Sequence, residues 1–117
     1  MKFNELNLDP QLLDGVDKAG FVDCTLVQEN VLPVSLEGKD VMVQSKTGSG
    51  KTAVFLLTIF QRHILSKGKS RALVVSPTRE LAVQIEEDAK LLSSGMKDYR
   101  VGCFYGGLGY EDQNNEI

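Results

Sequence analysis

Apolar positions recur at helical spacing in four stretches of this chain and form short runs between them. In the first stretch, Leu6, Leu8, Leu12, Leu13 and Val16 make one stripe within residues 3–20. Asp9-Pro10 is a good helix start there, a capping carboxylate followed by a proline in the first turn, and Gly20 ends it. Phe3 precedes that helix on an extended segment. Thr25 to Gly38 comes next, with Thr25 able to cap a short helix containing Val27, Gln28, Val31 and Leu32. Pro33 interrupts or restarts it, because proline has no N–H for the helix ladder. The run Val41-Met42-Val43 reads as a short buried strand, and Ala53 to Leu65 as a buried helix that begins near Lys51. A second strand, Ala72 to Val75, ends at Ser76-Pro77. Thr78 then opens an amphipathic helix with Leu81, Ala82, Ile85, Ala89 and Leu92 on one face, stopped at Gly95. A third strand spans about Arg100 to Tyr105 and closes at Gly106-Gly107. The polar, acidic tail from Leu108 to Ile117 predicts no element.

This alternation of strands and helices predicts an α/β fold with parallel strands and right-handed crossovers. Ligands in such folds sit at the carboxyl ends of the strands. Here those ends are residues 45–50, 76–78 and 106–107, all glycine, proline, lysine or small polar residues.

Composition narrows the picture only a little. A chain of 117 residues, 42% hydrophobic and 25% charged, predicts one ordinary globular domain at most. No run of apolar residues is long enough to span a membrane, and Met1 to Glu5 lack the apolar core of a signal peptide, so the cytoplasm is the expected location. Cys24 and Cys103 belong to no paired motif and read as reduced thiols. The single histidine, His63, reads as a helix-face residue. A net charge of −3 argues against coating nucleic acid by bulk charge, though not against local phosphate contacts. The basic group Arg62, His63, Lys67, Lys69 and Arg71 reads as a solvated turn around Gly68.

The chemistry concentrates in Ser45-Lys46-Thr47-Gly48-Ser49-Gly50-Lys51-Thr52, between a predicted strand and a predicted helix. That context marks a phosphate-binding loop. Glycines let the backbone turn its N–H groups inward, and the helix start adds its positive dipole end. Lys51 supplies a charge for the β- and γ-phosphates, and Thr52 a hydroxyl for Mg²⁺. The loop departs from the general G-x-x-x-x-G-K-[ST] pattern only at its first position, Ser45.

Four signatures in order make the chain resemble the first RecA-like domain of DEAD-box RNA helicases, from Phe3 to Gly107. They are Gly20-Phe21 followed by Thr25-Leu26-Val27-Gln28, with Phe3 seventeen residues before Gly20; the phosphate loop; Pro77-Thr78-Arg79-Glu80-Leu81-Ala82; and Gly106-Gly107. The resemblance implies a partial RecA-like phosphate-loop domain with three parallel strands and flanking helices. Residues 1–38 would form the adenine-recognition region, and 39–117 the phosphate-loop and RNA-contact units. In that family alanine often stands where Ser45 is. By resemblance Gln28 reads the N6 and N7 edge of adenine, Phe3 stacks on the base and Phe21 belongs to the same site. Thr25 supports the glutamine and the loop. ATP and Mg²⁺ are the implied cofactors. Pro77, Thr78, Arg79, Glu80, Gly106 and Gly107 would hold the RNA sugar–phosphate backbone, without reading sequence, with Arg79 either touching RNA directly or holding the local loops by ion pairs, for example with Glu80.

The resemblance also defines what this stretch does not contain. The Asp-Glu-Ala-Asp motif, the Ser-Ala-Thr motif and a second RecA-like domain are not in these residues. In related folds later strands complete the sheet. The expectation is a piece of an ATP-dependent RNA helicase that binds nucleotide and RNA, hydrolyses little by itself and, with an incomplete sheet, is marginally stable alone or associates with itself. A non-catalytic binding module from a short helicase-like protein is the alternative. A phosphate-loop enzyme of another class is the third reading, against which Gln28, Phe3 and residues 77–82 argue.

Overall fold

The computed structural model describes residues 1–46, 48–96 and 99–104. Among these, four α-helices follow a short 3-10 turn at Phe3–Glu5: α1 (Pro10–Lys18), α2 (Leu26–Ser35), α3 (Lys51–Leu65) and α4 (Arg79–Leu92). Each start has a local cause. The Asp9 carboxylate accepts from the Gln11 amide at 2.9 Å, with Pro10 in the first turn of α1. Thr25 and Gln28 form a reciprocal capping box at the start of α2. The Thr78 hydroxyl accepts from the Leu81 amide at 3.2 Å at the start of α4. Helix α3 begins after Gly50, which is left-handed with φ +88°.

Two local expectations change. Phe3 starts a 3-10 turn rather than an extended run, and its ring is buried. Pro33 lies inside α2 without ending it. Its missing N–H leaves one carbonyl, that of Glu29, without its helical donor. Pro33 is exposed, where solvent can serve that carbonyl, and the ladder resumes with Leu36 N–H to Leu32 O at 2.9 Å.

Helix α3 is the centre of the core. It buries Ala53, Val54, Leu56, Leu57 and Phe60, and α2, α4 and α1 all pack on it. Leu12 and Val16 of α1, Leu32 of α2 and Leu92 of α4 complete the interior with Phe3. Residues on both sides of position 38 therefore share one core among the described residues. The α1–α4 crossing is tight because Gly15 carries no side chain. A Cβ there would lie 1.9 Å from the Leu92 carbonyl oxygen. Beyond the C-terminus of α3, Tyr99 packs edge-on against Phe60 and His63, with ring centroids 5.0 and 4.6 Å apart. Burial pushes the Tyr99 phenol above its ordinary pKa. His63 Nδ1 lies 3.1 Å from the Ser70 carbonyl oxygen, so this residue works in packing and turn closure. Arg62, Lys67, Lys69 and Arg71 around it are exposed.

The three predicted strands are not strands among the described residues. Among the described residues the one extended pairing is an isolated antiparallel bridge between Lys2 and Asp23. Residues 41–43, 72–75 and 100–104 run as irregular backbone. The side chains show why. Met42 is 98% exposed, Leu73 88% and Val75 84%. A strand exists only as part of a hydrogen-bonded ladder, and among the described residues these runs form no ladder. The predicted Tyr105 end of the third strand lies outside the described residues. No helix among the described residues is long and apolar enough to cross a membrane.

Candidate functional site

The capping box of α2 does two jobs. Gln28 Oε1 accepts from the Thr25 N–H at 2.8 Å, and the Thr25 hydroxyl accepts from the Gln28 N–H at 3.3 Å. The same two side chains then reach the phosphate loop. The Thr25 hydroxyl donates to the Ser49 carbonyl at 2.7 Å, and Gln28 Nε2 donates to the Gly50 carbonyl at 3.2 Å. In a trans peptide the C=O of one residue and the N–H of the next point opposite ways, and no cis peptide occurs among the described residues. Pulling the Ser49 and Gly50 carbonyls toward α2 therefore turns the Gly50 and Lys51 N–H groups away from it. Those N–H groups stand at the first turn of α3, at the positive end of its dipole.

Gly50 is required twice in this arrangement. Its φ of +88° is strained for any side chain, and a Cβ there would lie 2.5 Å from Gln28 Nε2. Gly48 shares the same left-handed φ. Across the loop, the Lys51 ammonium donates to the Ser45 carbonyl, and the Ser45 and Ser49 hydroxyls share a hydrogen bond of 2.6 Å. Lys46 is exposed, Lys51 and Thr52 are half-buried in the first turn of α3, and Thr47 lies outside the described residues. The donor set fits a polyphosphate with a divalent ion. It offers oriented N–H groups, one ammonium and one hydroxyl within a single turn.

The base-recognition residues are less open than the resemblance implies. Gln28 is 4% exposed, and both ends of its amide are engaged. Phe3 is 2% exposed and stacks on Phe21 at 5.6 Å, so Phe3 lies in the core rather than facing a base. Phe21, 36% exposed, is the ring of the pair that solvent reaches. Beside it a narrow cleft is lined by Ala19, Ala53, Asp88, Leu91 and Leu92. Burial there, and then the charge of Glu87, raise the Asp88 carboxyl above its ordinary pKa.

The second predicted site is exposed throughout. Pro77, Thr78, Arg79 and Glu80 are all at the surface, at the N-terminus of α4. The Ser76 hydroxyl donates to the Thr78 carbonyl at 3.1 Å and closes the turn into the helix. Gly106 and Gly107 lie outside the described residues.

The role of Gln28 as the N3 partner of a capping box was missed in the sequence, although its signal, Thr25-x-x-Gln28, stands there. The Ser45–Ser49 hydroxyl pair had no sequence signal.

The profile of the family described as DEAD/DEAH box helicase matches residues 25–117. A DEAD-box ATP-dependent RNA helicase of Streptococcus pneumoniae, CshA, is 46% identical over 113 residues, covering 97% of this chain and 21% of that protein. The solved structure of a DEAD box protein from Methanococcus jannaschii aligns with a TM-score of 0.87 and 34% identity, over 99% of this chain and 32% of that one. The structure of S. cerevisiae Dbp5 bound to RNA and ADP BeF3 aligns with a TM-score of 0.79 and 31% identity, over 91% and 29%. This chain thus spans between a fifth and a third of the length of these proteins. Its backbone follows a RecA-like helicase domain even where no ladder forms.

Proposed function

We infer, from a chain that belongs to the DEAD/DEAH box helicase family, that residues 45–52 hold an adenine nucleotide with Mg²⁺. The observation that carries this reading is the pair of tethers from Thr25 and Gln28 to the Ser49 and Gly50 carbonyls. They aim the loop's N–H groups before any ligand arrives. Lys51 would meet the β- and γ-phosphates, and Thr52 would hold Mg²⁺, which would offset phosphate charge. Gln28 would read adenine with the lone pair and the N–H that its present bonds leave over. Phe21, exposed beside the stacked Phe3, offers the accessible aromatic face.

Residues 77–80 would bind the sugar–phosphate backbone of RNA at the N-terminus of α4, with Gly106 and Gly107 as the expected second contact. The yeast relative bound to RNA and ADP BeF3 supports that pairing of ligands. The full reaction, ATP-dependent separation of RNA strands, would belong to proteins of the relatives' length. The share of these residues in it is binding, and a non-catalytic nucleotide and RNA module is the second reading.

Thermal melts with Mg²⁺ and ADP, ATP or GTP test the reading, beside Lys51→Ala. A ligand that binds only the folded state raises the melting temperature by mass action. The expected result is a rise of several degrees with ADP and ATP, a smaller rise or none with GTP, and no rise in Lys51→Ala. An equal response of wild type and Lys51→Ala would refute it.

A further inference from the structure

We propose that Ser45 is a positioning residue of the phosphate loop, acting through a hydroxyl clasp with Ser49. The inference rests on the nucleotide-binding reading of the loop. Its ground is the one position where the loop departs from the general phosphate-loop pattern.

Ser45 and Ser49 stand at opposite ends of the turn, and their hydroxyls share a bond of 2.6 Å. Both residues are half-buried, so water competes with that bond less than at a free surface. Each serine is also held through its backbone. The Ser45 carbonyl accepts from Lys51, and the Ser49 carbonyl accepts from Thr25. The clasp therefore joins two tethered points. Without it, the cross-loop link of Ser45 among the described residues would be the Lys51 ammonium, the same group that must serve a phosphate. With it, the span from Ser45 to Ser49 keeps its width whether or not Lys51 is engaged. Glycine at position 45 would supply no such link, and alanine would supply none either. A loop held in its binding shape before the ligand arrives loses less conformational freedom on binding.

The test has two independent arms on the whole chain. The first uses no ligand. Amide exchange of Ser49, Gly50 and Lys51 is followed by NMR in wild type, Ser45→Ala, Ser49→Ala, the double variant and Ser45→Thr. The expected result is exchange faster by roughly two- to fivefold, the worth of one partly exposed hydrogen bond, in both single variants. The double variant should exchange no faster than either, and Ser45→Thr, which keeps the hydroxyl, should match wild type. The amides of α3 beyond its first turn serve as an internal reference. Wild-type exchange in Ser45→Ala overturns the clasp, as does acceleration that spreads through α3 or adds up in the double variant.

The second arm titrates a fluorescent ADP analogue with Mg²⁺. Ser45→Ala should weaken binding by a similar factor, and Ser45→Thr should restore it. Unchanged or tighter binding in Ser45→Ala overturns the positioning role even if exchange is faster. Equal titrations of wild type and Lys51→Ala would instead sink the nucleotide reading, and the positioning role with it. The exchange arm would still show whether the clasp itself exists.

Discussion

Gln28 shows how much one buried amide can hold. Its oxygen completes the cap of α2 and its nitrogen pins the Gly50 carbonyl. The two bonds can be separated chemically. Gln28→Glu keeps an oxygen for the Thr25 N–H but sets a carboxylate against the Gly50 carbonyl, where a donor stood. Gln28→Ala removes both. Gln28→Ala should therefore lower stability by about 1 kcal/mol, the usual worth of an N-terminal cap, in urea unfolding. Gln28→Glu keeps the cap bond but buries a carboxylate against the Gly50 carbonyl, so it should lose at least as much stability as Gln28→Ala and weaken ADP binding by about tenfold or more. A clearly smaller loss in Gln28→Glu than in Gln28→Ala would show that the cap, not the Gly50 bond, dominates. Asp88 makes a second case at this scale. Burial in the cleft beside Phe21, with Glu87 nearby, raises its carboxyl pKa in the folded state. Such a group favours the fold most in acid, below its unfolded pKa of about 4, and that contribution is lost as pH rises through the folded pKa. At neutral pH the ionised carboxylate bears the desolvation. Asp88→Asn should thus melt slightly higher than wild type at neutral pH, and the difference should shrink to nothing in acid. A difference independent of pH would remove the ionisation argument.

Among the elements, the α1–α4 crossing is the most exacting contact. Helix propensity alone would favour alanine over glycine in the middle of α1 by about 1 kcal/mol. The crossing reverses that preference, because a Cβ at Gly15 meets the Leu92 carbonyl at 1.9 Å. Backbone cannot yield as a flexible side chain can, so the helices must separate. Gly15→Ala should cost roughly 1–3 kcal/mol net, as overpacked sites do. A lower urea midpoint at unchanged slope would show it; a stabilised variant would mean that the helices slide apart freely. This contrast also marks what the sequence could disclose. The caps at Asp9, Thr25 and Thr78 and the stripe of α3 are local, so residue type and spacing betray them. Segments 45–52 and 77–82 stand out as family signatures for the same reason. The Gly15 crossing, the burial of Phe3 under Phe21 and the Ser45–Ser49 pair depend on segments far apart or on loop geometry, and no local pattern encodes them. The strand runs are an opposite case. Their composition reads as that of buried strands, but a strand is a relation between segments, and among the described residues these runs are irregular and largely exposed.

At the scale of the whole molecule, that missing relation becomes a force. Unbroken apolar runs such as Val41-Met42-Val43 and Ala72-Leu73-Val74-Val75 suit strands covered on both faces and paired on both edges. Here Met42, Leu73 and Val75 are almost fully exposed, and Phe104 is 48% exposed. The α-helical side of the fold, by contrast, is closed around α3. Among the described residues, then, the helical side is closed while these apolar runs lie open. Exposed apolar segments with open backbone edges template pairing with another chain. A net charge of −3 gives little electrostatic repulsion to oppose it. We accordingly expect the chain by itself to associate through these segments. Sedimentation velocity across a wide concentration range should show the average mass rising with concentration, and the melt should become concentration-dependent. Leu73→Lys with Val75→Lys should shift the distribution toward monomer, because charge on an open edge blocks pairing. It should leave the helical circular dichroism unchanged, since neither residue touches the α3 core. A monomer at every concentration with a sharp, invariant melt would mean that the exposed runs are satisfied within one chain, and association through them would be ruled out. Association that persists undiminished in the double lysine variant would move the contact to another surface.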